Sequence, residues 1–109
     1  LSVLTSVIGH QPERGWVLVD AGWMALSRDQ GNGDQGYGLV AGHPDLIVVS
    51  ANQEHGIVAR RDGGPFDPAA FPIGSRLRIL PNHACATAAQ HDRYHLLGQG
   101  EAWPRFGGW

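Results

Sequence analysis

The chain has 109 residues and a mass of 11.7 kDa, with eight basic and ten acidic side chains and a net charge of −2. All eight bases are arginine, so no residue here forms a Schiff base with a carbonyl group and no Walker-type lysine reaches a nucleotide phosphate. The small negative charge gives no electrostatic case for nucleic acid or for an anionic membrane, and the longest aliphatic run, Leu46-Ile47-Val48-Val49, is far too short to span a bilayer.

A chain of this length makes one domain, and burying roughly two thirds of its unfolded surface is enough for one modest core. The hydrophobic content of 42% with four tryptophans indicates a globular chain. Cys85 stands alone, which excludes an internal disulfide and points to a reducing, cytoplasmic setting. The N-terminus, beginning at Leu1, lacks the basic and continuously apolar regions of a signal peptide, and residues 1–109 read as one domain of something longer.

In chain order, Leu1 to Ile8 is rich in β-branched residues and predicts a strand; His10 to Gly15 is a turn; Trp16 to Asp20 is a second strand. Trp23 to Leu26 suits either a short strand or one helical turn. Arg28 to Gly38 holds four glycines and predicts a long loop, and His43-Pro44-Asp45 is another turn. Leu46 to Ala51 predicts a strand that pairs with Gly56 to Arg60. Asp62 to Gly74, with three prolines and three glycines, predicts loop. Arg76 to Leu80 alternates polar and apolar, the pattern of a strand with one buried face. Arg93 to Leu97 and Gly100 to Trp103 form a closing hairpin, with Trp103 and Trp109 capping a barrel or packing on a partner domain. Seven or eight short strands with long Gly/Pro-rich loops and no long amphipathic helix predict an all-β fold, a small antiparallel barrel or sandwich. Met24 and the tryptophans fit core or interface positions.

The densest polar segment is Pro81 to His95, PNHACATAAQHDRYH. His83 and Cys85 are two apart; in an extended chain such residues share a side, so imidazole and thiolate converge as ligands for zinc or a similar divalent ion. The other reading is a small buried cysteine beside an unrelated histidine. Two protein ligands are too few for a closed structural site and would leave positions open for water or substrate. His91 and His95 have helical ligand spacing but without a zinc-protease pattern, and read as strand and surface residues. Glu54-His55, ahead of Gly56, reads as a polar hairpin turn or as a proton-transfer element. Asp29 to Asp34 faintly resembles a calcium loop, but Val40 stands where the terminal glutamate is required. Gly36-Tyr37-Gly38 has the composition of a phosphate-cradling loop, with no helix evident after it.

Taken together, Val19-Asp20-Ala21-Gly22, Ala25-Leu26-Ser27, Gly36-Tyr37-Gly38, Glu54-His55-Gly56, Pro81-Asn82-His83-Ala84-Cys85 and His91-Asp92-Arg93-Tyr94 resemble the C-terminal β-domain of the D-serine dehydratase and D-threonine aldolase family, fold-type III pyridoxal-phosphate enzymes related to alanine racemase. The resemblance covers nearly the whole chain. It implies a two-domain parent in which an N-terminal α/β barrel carries pyridoxal phosphate on its own lysine and the β-domain supplies a divalent metal. The metal ligands implied are His83 and Cys85. Cysteine at the second ligand implies zinc and the dehydratase branch, with manganese or magnesium and an aldolase or 3-hydroxyaspartate dehydratase as alternatives. Glu54 and His55 are implied as active-site lining. The expected partners are the barrel of the same polypeptide, a small D-3-hydroxy amino acid and a second copy of the full-length chain. The isolated chain is expected to be inactive. The competing classes are a non-catalytic β-barrel that binds or assembles with a partner, and a small independent metallohydrolase with His55 as third ligand.

Overall fold

The computed structural model describes residues 1–107. Six strands form a closed antiparallel barrel: β1 (Val3–Gln11), β2 (Trp16–Val19), β3 (Leu39–Val40), β4 (Leu46–Ala51), β5 (Gly56–Arg60) and β6 (Arg76–Leu80), in the order β1-β2-β5-β4-β3-β6. Two more, β7 (Arg93–His95) and β8 (Ala102–Pro104), pair antiparallel as a separate two-stranded sheet. The described residues contain two short α-helices, α1 (Trp23–Leu26) and α2 (Ala84–Ala88). The expected all-β architecture is therefore a barrel. Among the described residues, no helix is long and apolar enough to cross a membrane.

The side-chain alternation of the strands places the core inside the barrel. On β6, Leu77 and Ile79 are buried while Arg76, Arg78 and Leu80 face outward. Val3, Thr5 and Val7 of β1, Val17 and Val19 of β2, Val40, Val48 and Val58 complete the interior. The β-branched residues suit this narrow lumen because they pack closely on a pleated surface with little rotamer freedom to lose. Register shifts between Val7 and Gly9 and between Val48 and Ser50 add the local bend and twist that a small closed barrel requires.

Four sequence expectations change. The first strand runs on past Ile8 to Gln11, because the register shift lets His10 and Gln11 continue pairing with Val17 and Trp16 before Pro12 turns the chain. Leu39–Val40, inside no expected strand, bridges β4 and β6 and closes the barrel; two residues are too short to show a period. The hairpin Arg93 to Trp103 exists, but it stands apart from the barrel and so does not close it. Trp103 is 58% exposed on that hairpin and Met24 is half-exposed, so neither is a core residue, while Trp16 and Trp23 are half-buried beneath the guanidinium groups of Arg14 and Arg28. Trp109 lies outside the described residues.

Gly36 shows what its loop is for. It has φ +55°, and a Cβ there would lie 2.3 Å from the Val48 carbonyl oxygen. The bare backbone lets Tyr37 N–H donate to Val48 O at 2.8 Å and Val48 N–H donate to Gly38 O at 2.9 Å. Gly36-Tyr37-Gly38 thus lays the loop onto β4 and leads directly into β3, and the helix that a phosphate cradle needs does not follow.

Candidate metal centre

The two candidate ligands lie where β6 leaves the barrel for α2. The extended geometry expected at His83–Cys85 is not what the chain adopts. His83 is extended, with φ −134° and ψ 94°, and is the N-terminal cap of α2, whereas Cys85 is already helical. The alanine-rich run Ala84-Cys85-Ala86-Thr87-Ala88 favours a helix. The pair therefore lies at a helix start and not on one face of a strand. Cys85 is exposed and free, which removes the reading of it as a buried apolar residue.

α2 is fixed through α1. Buried Thr87 donates its hydroxyl to the Leu26 carbonyl at 2.5 Å, and His91 Nε2 donates to the Ala25 carbonyl at 3.0 Å. α1 is held in turn by the β4–β5 turn. Trp23 N–H donates to Asn52 O at 2.8 Å and Met24 N–H to Gln53 O at 3.1 Å, satisfying amides that a helix start leaves without partners. Gly22 is required there, because a Cβ on it would lie 2.2 Å from the Asn52 oxygen. The Asp20-Ala21-Gly22 and Glu54-His55-Gly56 segments thus meet in space. Asp20 accepts from Thr5 Oγ1 at 2.6 Å and from Ser6 N–H at 2.8 Å, pinning β1 to the end of β2.

Within the turn, Asn52 Nδ2 donates to His55 Nε2 at 2.9 Å, so the His55 proton sits on Nδ1. Glu54 is exposed. No hydrogen bond or ion pair joins Glu54 or His55 to His83 or Cys85 among the described residues; α1 lies between the turn that carries the first pair and the helix that carries the second. No group of three or more His, Cys, Asp or Glu capable of holding a metal ion occurs among the described residues, so His55 does not complete a three-ligand site and the independent metallohydrolase has no structural support.

One partner of His83 went unrecognised in the sequence. Asp29, part of the segment rejected as a calcium loop, accepts at Oδ2 from His83 Nδ1 at 3.0 Å. Its Oδ1 accepts from Gly31 N–H at 2.7 Å. The Gly31 amide and then the His83 contact hold this carboxyl below its ordinary value, against an opposing effect of burial. Asn82 ties the two segments together, donating from Nδ2 to Asp29 O at 3.0 Å and to Gly36 O at 2.7 Å. The Asp-x-Gly pattern of the turn was visible locally, but its pairing with a residue 54 positions away was not.

The donor set fits a borderline divalent ion: an imidazole whose Nδ1 is occupied and whose Nε2 makes no hydrogen bond among the described residues, next to an exposed thiol. Two protein ligands would leave the remaining positions of such an ion to water, substrate or a second domain. Residues 1–97 match the family described as "Putative serine dehydratase domain", and the chain belongs to it. It is 52% identical to a D-threo-3-hydroxyaspartate dehydratase from Delftia sp. (strain HT23), covering 100% of this chain and 32% of that protein. It is 36% identical to a D-serine dehydratase from Dictyostelium discoideum, covering 87% of this chain and 26% of that one. The chain thus spans about a third or less of these relatives. Among solved structures, a cysteine-to-alanine variant of the Delftia dehydratase in a metal-free form superimposes with a TM-score of 0.88 at 52% identity, over 99% of this chain and 32% of that one. A histidine-to-alanine variant of the same enzyme, altered two positions earlier in its chain, superimposes with a TM-score of 0.90.

Proposed function

We propose that residues 1–109 form the C-terminal domain of a two-domain, pyridoxal-phosphate- and metal-dependent lyase that dehydrates D-3-hydroxy amino acids, and that His83 and Cys85 hold its divalent metal. The observation that carries this reading is the exposed His83–Cys85 pair at the start of α2, on a barrel similar to that of a dehydratase whose cysteine variant is described as metal-free. The histidine and cysteine altered in that relative have the same spacing as His83 and Cys85.

When bound, the metal would supply Lewis acidity at the substrate 3-hydroxyl, and pyridoxal phosphate on the companion domain would supply the electron sink. This chain contributes the rest of the geometry. His83 presents Nε2 with its other nitrogen already engaged, and Cys85 presents a thiol from the first turn of α2. The Thr87 and His91 bonds to α1 hold α2 against the barrel. Glu54 and His55 line the same site from the turn that supports the other end of α1. Zinc suits an imidazole–thiolate pair better than manganese or magnesium, which prefer oxygen ligands. The lysine absent here belongs to the companion barrel, and the full-length enzyme works in the cytoplasm as a homodimer. A purely non-catalytic binding module is disfavoured by the dehydratase relatives.

The test is substrate profiling of the full-length protein with D-serine, D-threonine and the 3-hydroxyaspartates. A 2-oxo acid plus ammonia identifies the dehydratase; glycine plus an aldehyde identifies an aldolase and overturns the reaction assigned here. Identity to the Delftia enzyme makes D-threo-3-hydroxyaspartate the substrate to compare first with D-serine. The 109-residue chain alone, given pyridoxal phosphate, is expected to turn over neither, and measurable breakdown by it would refute the two-domain reading.

A further inference from the structure

We propose that Asp29 is the positioning residue of this centre, and that it acts by fixing the proton of His83 on Nδ1 and leaving Nε2 as the metal-binding nitrogen. The inference rests on the reading of His83 as a ligand and adds to it a residue from a distant loop.

Asp29 is built into its place. Ser27 Oγ accepts from its backbone N–H at 3.2 Å. Its carbonyl accepts from Asn82 Nδ2 at 3.0 Å, and Asn82 is the residue immediately before His83. Its Oδ1 is committed to the Gly31 amide at 2.7 Å. Three anchors therefore hold the backbone and one carboxylate oxygen. The other, Oδ2, lies 3.0 Å from His83 Nδ1. An ionised carboxylate only accepts hydrogen bonds, so the imidazole nitrogen facing it carries the proton. The lone pair of the neutral ring is then at Nε2. A carboxylate behind a histidine in this way sets the tautomer and ring orientation and raises the basicity of the ligating nitrogen. Both side chains are about half-exposed, so bare attraction between them is weak in water; the value of the contact lies in orientation.

Asp29→Asn separates orientation from scaffolding. The variant is nearly isosteric. With its amide oxygen kept on the Gly31 N–H, the amide nitrogen faces His83 Nδ1. A donor in that place requires Nδ1 to accept, which moves the proton to Nε2 and blocks the ligand lone pair. The experiment uses full-length protein stripped with a chelator and titrated with zinc alone against a competing chromogenic chelator. It compares the unaltered protein with Asp29→Asn, His83→Ala and Cys85→Ala. Thermal unfolding of the metal-free forms is recorded alongside. Long-range 1H–15N spectra of histidine-labelled, metal-free protein report the His83 tautomer, assigned by its loss in His83→Ala.

The expected result is a zinc dissociation constant raised about 10- to 100-fold in Asp29→Asn. The metal-free Tm should be unchanged, and His83 should be protonated on Nδ1 in the unaltered protein and on Nε2 in the variant. Unaltered zinc affinity in Asp29→Asn, with affinity lost in His83→Ala, overturns the role of Asp29 and leaves the ligand pair standing. Undiminished affinity in His83→Ala, or no stoichiometric zinc in the unaltered protein, overturns the ligand reading and this inference with it. If Asp29→Asn fails to fold, the spectrum of the unaltered protein decides: His83 protonated on Nε2 refutes the proposal.

Discussion

At the scale of single residues, the candidate ligands His83 and Cys85 are both exposed. His83 and Cys85 are predicted to be individually indispensable. His83→Ala or Cys85→Ala in the full-length protein should remove nearly all lyase activity together with bound metal, and turnover and metal content at the unaltered level in either would refute the ligand assignment. A different residue pair sets a pH signature. Arg60 donates to Asp62 from Nε at 2.9 Å and from Nη2 at 2.7 Å, and Gly64 N–H adds a bond at 2.8 Å. First the Arg60 hydrogen bonds and then the Gly64 amide hold the Asp62 carboxyl well below the usual carboxylate range. Its folded-state pKa lies below the unfolded value of about 3.9, so its stabilisation is complete above about pH 4 and is lost as pH falls through the folded-state value. Both side chains are solvated, so the effect is small. Asp62→Asn is expected to lower Tm slightly at pH 7 and to converge with the unaltered protein at strongly acid pH. A Tm difference independent of pH would contradict this account.

At the scale of elements, the site depends on α1, a four-residue helix that could not persist alone. It survives because its N-terminal amides reach the Asn52 and Gln53 carbonyls and its Leu26 carbonyl receives Thr87. Gly22→Ala would put a methyl carbon 2.2 Å from the Asn52 oxygen and must push α1 off the turn. Overpacking of this kind costs about 1–3 kcal/mol. Denaturant unfolding should register that loss, and metal affinity should fall with it because α2 rests on α1. Thr87→Val keeps the shape but removes a buried donor from the Leu26 carbonyl. It is expected to cost about 1–3 kcal/mol. A variant as stable as the unaltered protein would show that this bond does not hold α2.

At the scale of the whole molecule, one closed barrel carries the site on its rim. Ile79 is fully buried and pairs with both Val3 and Val40, so it touches the seam where β6 meets β1 and β3. Ile79→Ala should destabilise the protein by about 2–5 kcal/mol through a cavity at that closure. A smaller loss in chemical denaturation would mean that the seam collapses to fill it. The chain spans 32% of the length of the Delftia relative and contains no lysine.

Much of the barrel was legible in local pattern. Leu46–Ala51, Gly56–Arg60 and Arg76–Leu80 are strands at the expected residues because period-two alternation and β-branching are properties of a single segment. The absence of lysine and the His83–Cys85 spacing were equally direct. The closing strand Leu39–Val40 was hidden because two residues carry no period, and their strand state is conferred by neighbours on both sides. α2 was hidden because five residues are too few to show a helical period or to persist alone, and docking on α1 through Thr87 stabilises it. Asp29 was hidden most completely. Its bond to His83 spans 54 positions and follows from how the barrel brings the Arg28–Gly38 loop against the end of β6. Residue type and spacing thus determined which groups were available for chemistry; barrel closure, a long-range packing event, decided which of them face one another.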